Sequence, residues 1–200
     1  GQKETLRQRI YVENAKRWSP EEPYLYQAES AVSDGTRVLD TDRTHFGVRT
    51  LSLDPKHGLR INGKVTKLRG ACIHHDNGVI GSAAIDRAEE RRVQILKEAG
   101  FNAVRSAHYP ISKSFLDACD RIGMLVMDEV SDMWTRCKND SDFAHYFPHV
   151  WQEVCERFVG KDFNHHSVIL YYIGNEIPET GSANGADIGR KIAEKLRSLD

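Results

Sequence analysis

Val168-Ile169-Leu170-Tyr171-Tyr172-Ile173-Gly174-Asn175-Glu176 is the stretch on which the reading of this chain turns. Its first part is an apolar run rich in aliphatic and β-branched residues, which reads as a buried strand. It stops at an amide and a carboxylate side by side. At the C-terminal end of a barrel strand, such a pair occupies the edge where barrel enzymes carry their chemistry. The plain alternative is a strand that ends in a solvated Asn-Glu turn.

The same rhythm recurs along the chain. Residues 86–99 are predicted helical, with Val93, Leu96 and Ala99 on one face and Gly100 as a stop. Phe101-Asn102-Ala103-Val104-Arg105 is a short strand. Ser112 caps a helix carrying Phe115, Leu116, Cys119 and Ile122, stopped by Gly123. Residues 124–127 form the next strand and end in Asp128-Glu129. Val150, Trp151, Val154, Cys155 and Phe158 form a helical stripe, and Ile188, Ile192, Leu196 and Leu199 mark a last helix. With Leu68-Arg69-Gly70-Ala71-Cys72 as the first strand, β-α repeats four times. This alternation implies a parallel sheet, either half of an eight-fold barrel or a small doubly wound sheet. No Gly-x-Gly-x-x-Gly or P-loop opens a helix, which weighs against a nucleotide-binding sheet.

The first 55 residues read as β. Residues 6–12 look like strand, residues 24–32 alternate, and Asp34-Gly35 offers a hairpin turn. Residues 37–39 and 46–53 supply further strands, and Asn62-Gly63 marks a second hairpin. These are too few for a complete sandwich and read as the tail of an all-β domain.

Two hundred residues, 40% hydrophobic and 28% charged, with a formal net charge of -1, is an ordinary globular balance. Neither nucleic acid nor membrane is indicated as a partner. The four cysteines form no Cys-x-x-Cys pair, and Cys119 and Cys155 fall on apolar helix faces as reduced thiols.

The strand ends form one list. The first gives His74, His75 and Asp76; the second Arg105, His108 and Tyr109; the third Asp128 and Glu129, then Trp134; the fourth Asn175 and Glu176. Carboxylates, Arg, His and Asn for hydroxyls, with an aromatic for an apolar ring face, suit a sugar. A carboxylic acid beside an amide suits general acid/base work. Singly, each residue has a structural reading, such as an Arg105 ion pair with Asp128 or Glu129. His165-His166 precedes the fourth strand and reads as structural. A metal-dependent hydrolase using His75, Asp76 and Glu129 is a further reading, although no helical zinc-site spacing is present.

Several long motifs resemble glycoside hydrolase family 2, the β-galactosidase, β-glucuronidase and β-mannosidase family. They are Asn102-Ala103-Val104-Arg105-Ser106-Ala107-His108-Tyr109-Pro110, the stretch from Asn164 to Glu176, and Leu68-Arg69-Gly70-Ala71-Cys72-Ile73-His74-His75-Asp76. Upstream, Trp18-Ser19-Pro20 and His45-Phe46-Gly47-Val48-Arg49 are similar to the family's immunoglobulin-like domain. The resemblance implies residues 1–57 as the C-terminal part of that β-sandwich and 58–200 as the first half of a (β/α)8 barrel. It implies a retaining exo-β-glycosidase, with β-galactosides favoured over β-glucuronides. Glu176 would be the general acid/base and Asn175 a contact to the sugar's 2-hydroxyl. His75, Asp76, Arg105, His108, Glu129 and Trp134 would line the sugar subsite. No cofactor and no metal is called for. A non-catalytic carbohydrate-binding module is the rival.

Two departures bear on this expectation. Tyr171-Tyr172 stands where the family usually has Trp-Ser. The family's nucleophile is a Glu on the seventh barrel strand, beyond these four units. The 200 residues alone are therefore expected to show no turnover, and their open sheet edges to favour self-association.

Overall fold

The computed structural model describes residues 3–200. Strand β1 (Tyr26–Ser33) pairs antiparallel with β2 (Val38–Phe46). The turn between them closes on the Asp34 carboxylate, which accepts from the N–H groups of Thr36 at 2.9 Å and Arg37 at 3.0 Å. Strands β3 (Leu51–Asp54), β4 (Gly58–Ile61) and β5 (Lys64–Val65) make a second, three-stranded sheet. Its Asn-Gly turn has both central residues at positive φ, 52° and 81°, as a tight hairpin requires. Residues 6–12, expected as strand, pair with no strand among the described residues; Leu6 is 83% exposed. The expected division follows residue 57. It falls inside the β3–β4 hairpin, whose register runs from Leu51 opposite Ile61 to Asp54 opposite Gly58.

The remainder is four βα units. Strands β6 (Gly70–His74), β7 (Ala103–Ala107), β8 (Leu125–Glu129) and β9 (Val168–Tyr172) lie parallel in chain order. Helices α1 (Asp86–Glu98), α2 (Lys113–Ile122), α3 (Phe147–Asp162) and α4 (Ala183–Leu199) follow them in turn. A doubly wound sheet reverses its strand order at a switch point. This one does not, and the sheet is the first half of a (β/α)8 barrel wall preceded by β-sandwich strands.

Side-chain parity separates the two faces. Val104, Val126 and Val168 face the helices and pack with Val93, Phe115, Leu116 and Cys119. Phe158, Val159, Ile192 and Leu196 form the neighbouring helix-side cluster. Ala103, Leu125 and Ile169 face the barrel interior, where Trp18 and Ile61 cover them from the N-terminal end. Each fully buried Val, Leu, Ile or Phe among them contributes roughly 1.5–3 kcal/mol. Trp18 is fully buried, and its indole N–H donates to the Asp120 carbonyl at 2.8 Å.

A bulge sets the last strand. Val126 pairs with Val168, but Met127 pairs with Leu170, so Ile169 is the extra residue. After it, Tyr171 turns outward against Phe158 and Tyr172 turns inward under Arg105, 4.7 Å from its ring centroid. His165 and His166 lie at the other end of β9. His165 bonds Asp120 at 2.7 Å, and His166 accepts from the Gly47 N–H at 2.7 Å. All four cysteines are free thiols, with Cys119 and Cys155 buried. Among the described residues no helix is long and apolar enough to cross a membrane.

Candidate active site

Residues at the C-terminal ends of the strands meet around Arg105. It leaves β7 on the interior face, and its Nη2 donates to Glu129 Oε2 at 2.8 Å and to Asn175 Oδ1 at 2.9 Å. His108 lies beside this pair, with Nδ1 at 3.5 Å from Arg105 Nη2 and 3.9 Å from Glu129 Oε2. The pair is charge-assisted and largely removed from water, so its geometry is rigid. Glu129 is fully buried, and burial pushes its carboxyl up to about 7 although Arg105 pulls the other way. Its Oε1 has no hydrogen-bond partner among the described residues. Burial also lowers the His108 imidazole, with Asp132 opposing and Arg105, His74 and Lys138 adding to the effect.

Glu176 is exposed at this edge. Its φ of 44° is left-handed, an uncommon conformation for a residue with a side chain. Holding it costs about 1 kcal/mol or more, so the surroundings must fix the backbone there. Asn175 is fixed on several sides. Its amide nitrogen donates to Asp132 Oδ1 at 3.0 Å, and its backbone carbonyl accepts from Lys138 Nζ at 2.6 Å.

The remaining expected residues divide. His75 turns away from Arg105, its Nε2 bonding the Pro110 carbonyl at 3.0 Å. Its neighbour His74 is the one whose ring meets His108, edge to face at 5.2 Å. Asp76 is exposed and closes a local turn by accepting from the Gly78 N–H at 2.8 Å. Trp134 was expected to line the sugar subsite. It is 4% exposed, packs in the α3–α4 cluster, and donates Nε1–H to the Ile173 carbonyl at 2.7 Å. Gly174 and Gly189 leave it room, since a Cβ on either would come within 3.0 Å of the indole. His75, Asp76 and Glu129 do not come together as a metal site. The one group of three close ligand residues among those described, Asp117, Asp120 and His165, sits at the opposite end of the sheet.

Sequence reasoning missed the parts played by Asp132, Lys138 and Glu179. Asp132 stands within the Asp128-to-Trp134 stretch, but its partner Lys138 lies on an irregular loop with no periodicity to mark it. Glu179 is 4% exposed, and its Oε1 accepts from the N–H groups of Thr135 at 2.9 Å and Arg136 at 2.8 Å. Asp128 faces the helices instead, accepting from Ile111 N–H and Lys161 Nζ, each at 3.0 Å.

The family profile "Glycosyl hydrolases family 2, TIM barrel domain" matches residues 55–200, and "Glycosyl hydrolases family 2" matches residues 1–49. Beta-galactosidase BoGH2A of Bacteroides ovatus is 41% identical over 187 residues, 94% of this chain and 22% of its own. The crystal structure of a glycosyl hydrolase family 2 member from Bacteroides cellulosilyticus superimposes with a TM-score of 0.88 at 44% identity. That likeness covers 92% of this chain and 24% of the other. A beta-D-glucuronidase structure from Dictyoglomus thermophilum has a TM-score of 0.80 at 27% identity, covering 94% of this chain and 33% of that one. The chain thus spans about a quarter of the relatives it matches.

Proposed function

The chain belongs to glycosyl hydrolase family 2, and on that premise we propose that it carries the acid/base half of a retaining exo-β-glycosidase site. The observation that carries this reading is Glu176. It is an exposed carboxyl at the end of β9, in a left-handed backbone conformation, beside an Asn whose amide is held by Arg105 and Asp132. Glu176 protonates the leaving oxygen and then activates water. Asn175 has both its Oδ1 and one N–H engaged within the protein, which leaves its second amide N–H for the sugar's 2-hydroxyl. His108, His74 and Glu129 border the subsite, and Arg105 holds it together. His75 and Asp76 belong to its outer rim, and Trp134 supports β9 from beneath. The nucleophile stands about 5–5.5 Å from the acid in retaining enzymes. We assign it to none of these 200 residues.

We place the division between the β-sandwich segment and the barrel segment at residues 47–50, ahead of the β3–β4 hairpin. β-Galactosides are the favoured substrates, given the likeness to the Bacteroides ovatus beta-galactosidase. β-Glucuronides are the second reading, given the likeness to a beta-D-glucuronidase. Hydrolysis of aryl β-galactosides and aryl β-glucuronides by the enzyme that contains this chain decides between them. Turnover of one sugar names the substrate. Turnover of neither sinks the proposal.

A further inference from the structure

We infer that Asp132 and Lys138 form an ion pair whose task is to set the orientation of the Asn175–Glu176 peptide, and through it the position of the Glu176 carboxyl; this rests on the acid/base reading of Glu176.

The pair is sheltered and directed. Lys138 Nζ donates to Asp132 Oδ1 at 2.8 Å and to the Asp132 carbonyl at 2.9 Å, with the side chains 21% and 17% exposed. The third donor of the ammonium goes to the Asn175 carbonyl at 2.6 Å. That oxygen belongs to the peptide plane whose nitrogen is Glu176's own. The same Asp132 oxygen accepts from Asn175 Nδ2 at 3.0 Å. One ion pair therefore grips the side chain and the backbone of Asn175 together. The next residue is Glu176, whose left-handed φ needs a fixed peptide plane in front of it.

Lys138 is itself fixed. Its backbone N–H donates to Asp142 Oδ2 at 2.6 Å, and the next N–H, of Asn139, donates to the same atom at 3.1 Å. Its loop holds the segment around Glu176 at three places. Trp134 bonds the Ile173 carbonyl, Asp132 and Lys138 bond Asn175, and Thr135 and Arg136 bond Glu179. Glu176 is the exposed residue between those anchors. Asp132 and Lys138 are positioning residues, acting through Asn175 and Glu176.

The test uses the enzyme containing this chain, with Lys138→Met, Lys138→Arg and Glu176→Gln. Two substrates of the cleaved sugar are compared: a dinitrophenyl glycoside, which needs no acid to leave, and an alkyl glycoside, which does. General acid catalysis contributes about 10²- to 10⁴-fold, and a displaced acid forfeits part of it. We expect Lys138→Met to lower kcat/KM on the alkyl glycoside at least about tenfold and to change the dinitrophenyl glycoside by less than about threefold. Lys138→Arg should recover much of the loss. The double variant Lys138→Met/Glu176→Gln should be no slower than Glu176→Gln alone, since the two act as one unit. Equal losses on both substrates, or additive losses in the double variant, would overturn the inference while leaving Glu176 in its role. If Glu176→Gln itself spares the alkyl glycoside, the acid/base reading fails instead. Should Lys138→Met not fold, Lys138→Gln, which leaves Asp132 on the Asn175 side chain, carries the same comparison, with the same selective loss expected.

Discussion

Glu129 shows how one buried side chain ties the site to the fold. Its carboxyl has no solvent and one strong partner, Arg105, which is itself shared with Asn175. Burial outweighs Arg105 and lifts the carboxyl from 4.5 to about 7. The folded state therefore holds this proton more tightly than the unfolded chain does. The favourable contribution is full below pH 4.5 and is lost as pH rises through about 7. Asp162, raised to about 8 by burial and by Asp128 beside it, acts in the same direction. We expect the thermal midpoint to fall between those pH values, and Glu129→Gln, which cannot ionise, to make the fall shallower. A variant with the parent's pH slope would show that Glu129 does not titrate there.

At the scale of elements, α2 is bounded by local chemistry that can be measured. The Ser112 hydroxyl accepts from the Phe115 N–H at 3.2 Å, and its loss in Ser112→Ala should cost about 1 kcal/mol. Gly123 ends the helix at a φ of 81°, and a Cβ there collides with the Pro20 carbonyl. Gly123→Ala should cost more than about 1 kcal/mol, and more than Ser112→Ala, in denaturant unfolding. If Gly123→Ala is neutral, the contact with the Pro20 segment is not formed as described. These caps were legible in the sequence because Ser, Gly and a 3.6-residue apolar stripe are local signals. So was the delivery of Arg105, Glu129 and Asn175 to one end, which follows from placing the strands. What was not legible depends on contacts distant in sequence. Trp134 is buried because Gly174 and Gly189, 40 and more residues on, make room for it. His74 rather than His75 meets His108 because the register of β6 on β7 sets Cys72 opposite Arg105 and His74 opposite Ala107. The pairing of Leu51–Asp54 with Gly58–Ile61 runs across the expected division after residue 57.

For the whole molecule, four parallel strands leave β6 and β9 each paired on one side only among the described residues. The concave face, lined by Leu68, Cys72, Met127 and Ile169, is uncovered above the Trp18 plug. A purified polypeptide of these 200 residues should self-associate in light scattering and hydrolyse no glycoside. A monodisperse monomer at high concentration would contradict the first expectation, and turnover that survives Glu176→Ala the second. The proposed role of Glu176 as the acid/base of a retaining glycosidase is open to kinetics. The most direct test is the rate of Glu176→Gln in the enzyme containing this chain, across aryl glycosides of falling leaving-group ability. We expect near-parent rates of glycosyl transfer to the enzyme for the best leaving groups and losses of about 10²-fold or more for the poorest. A uniform loss across the series, or none, would contradict it.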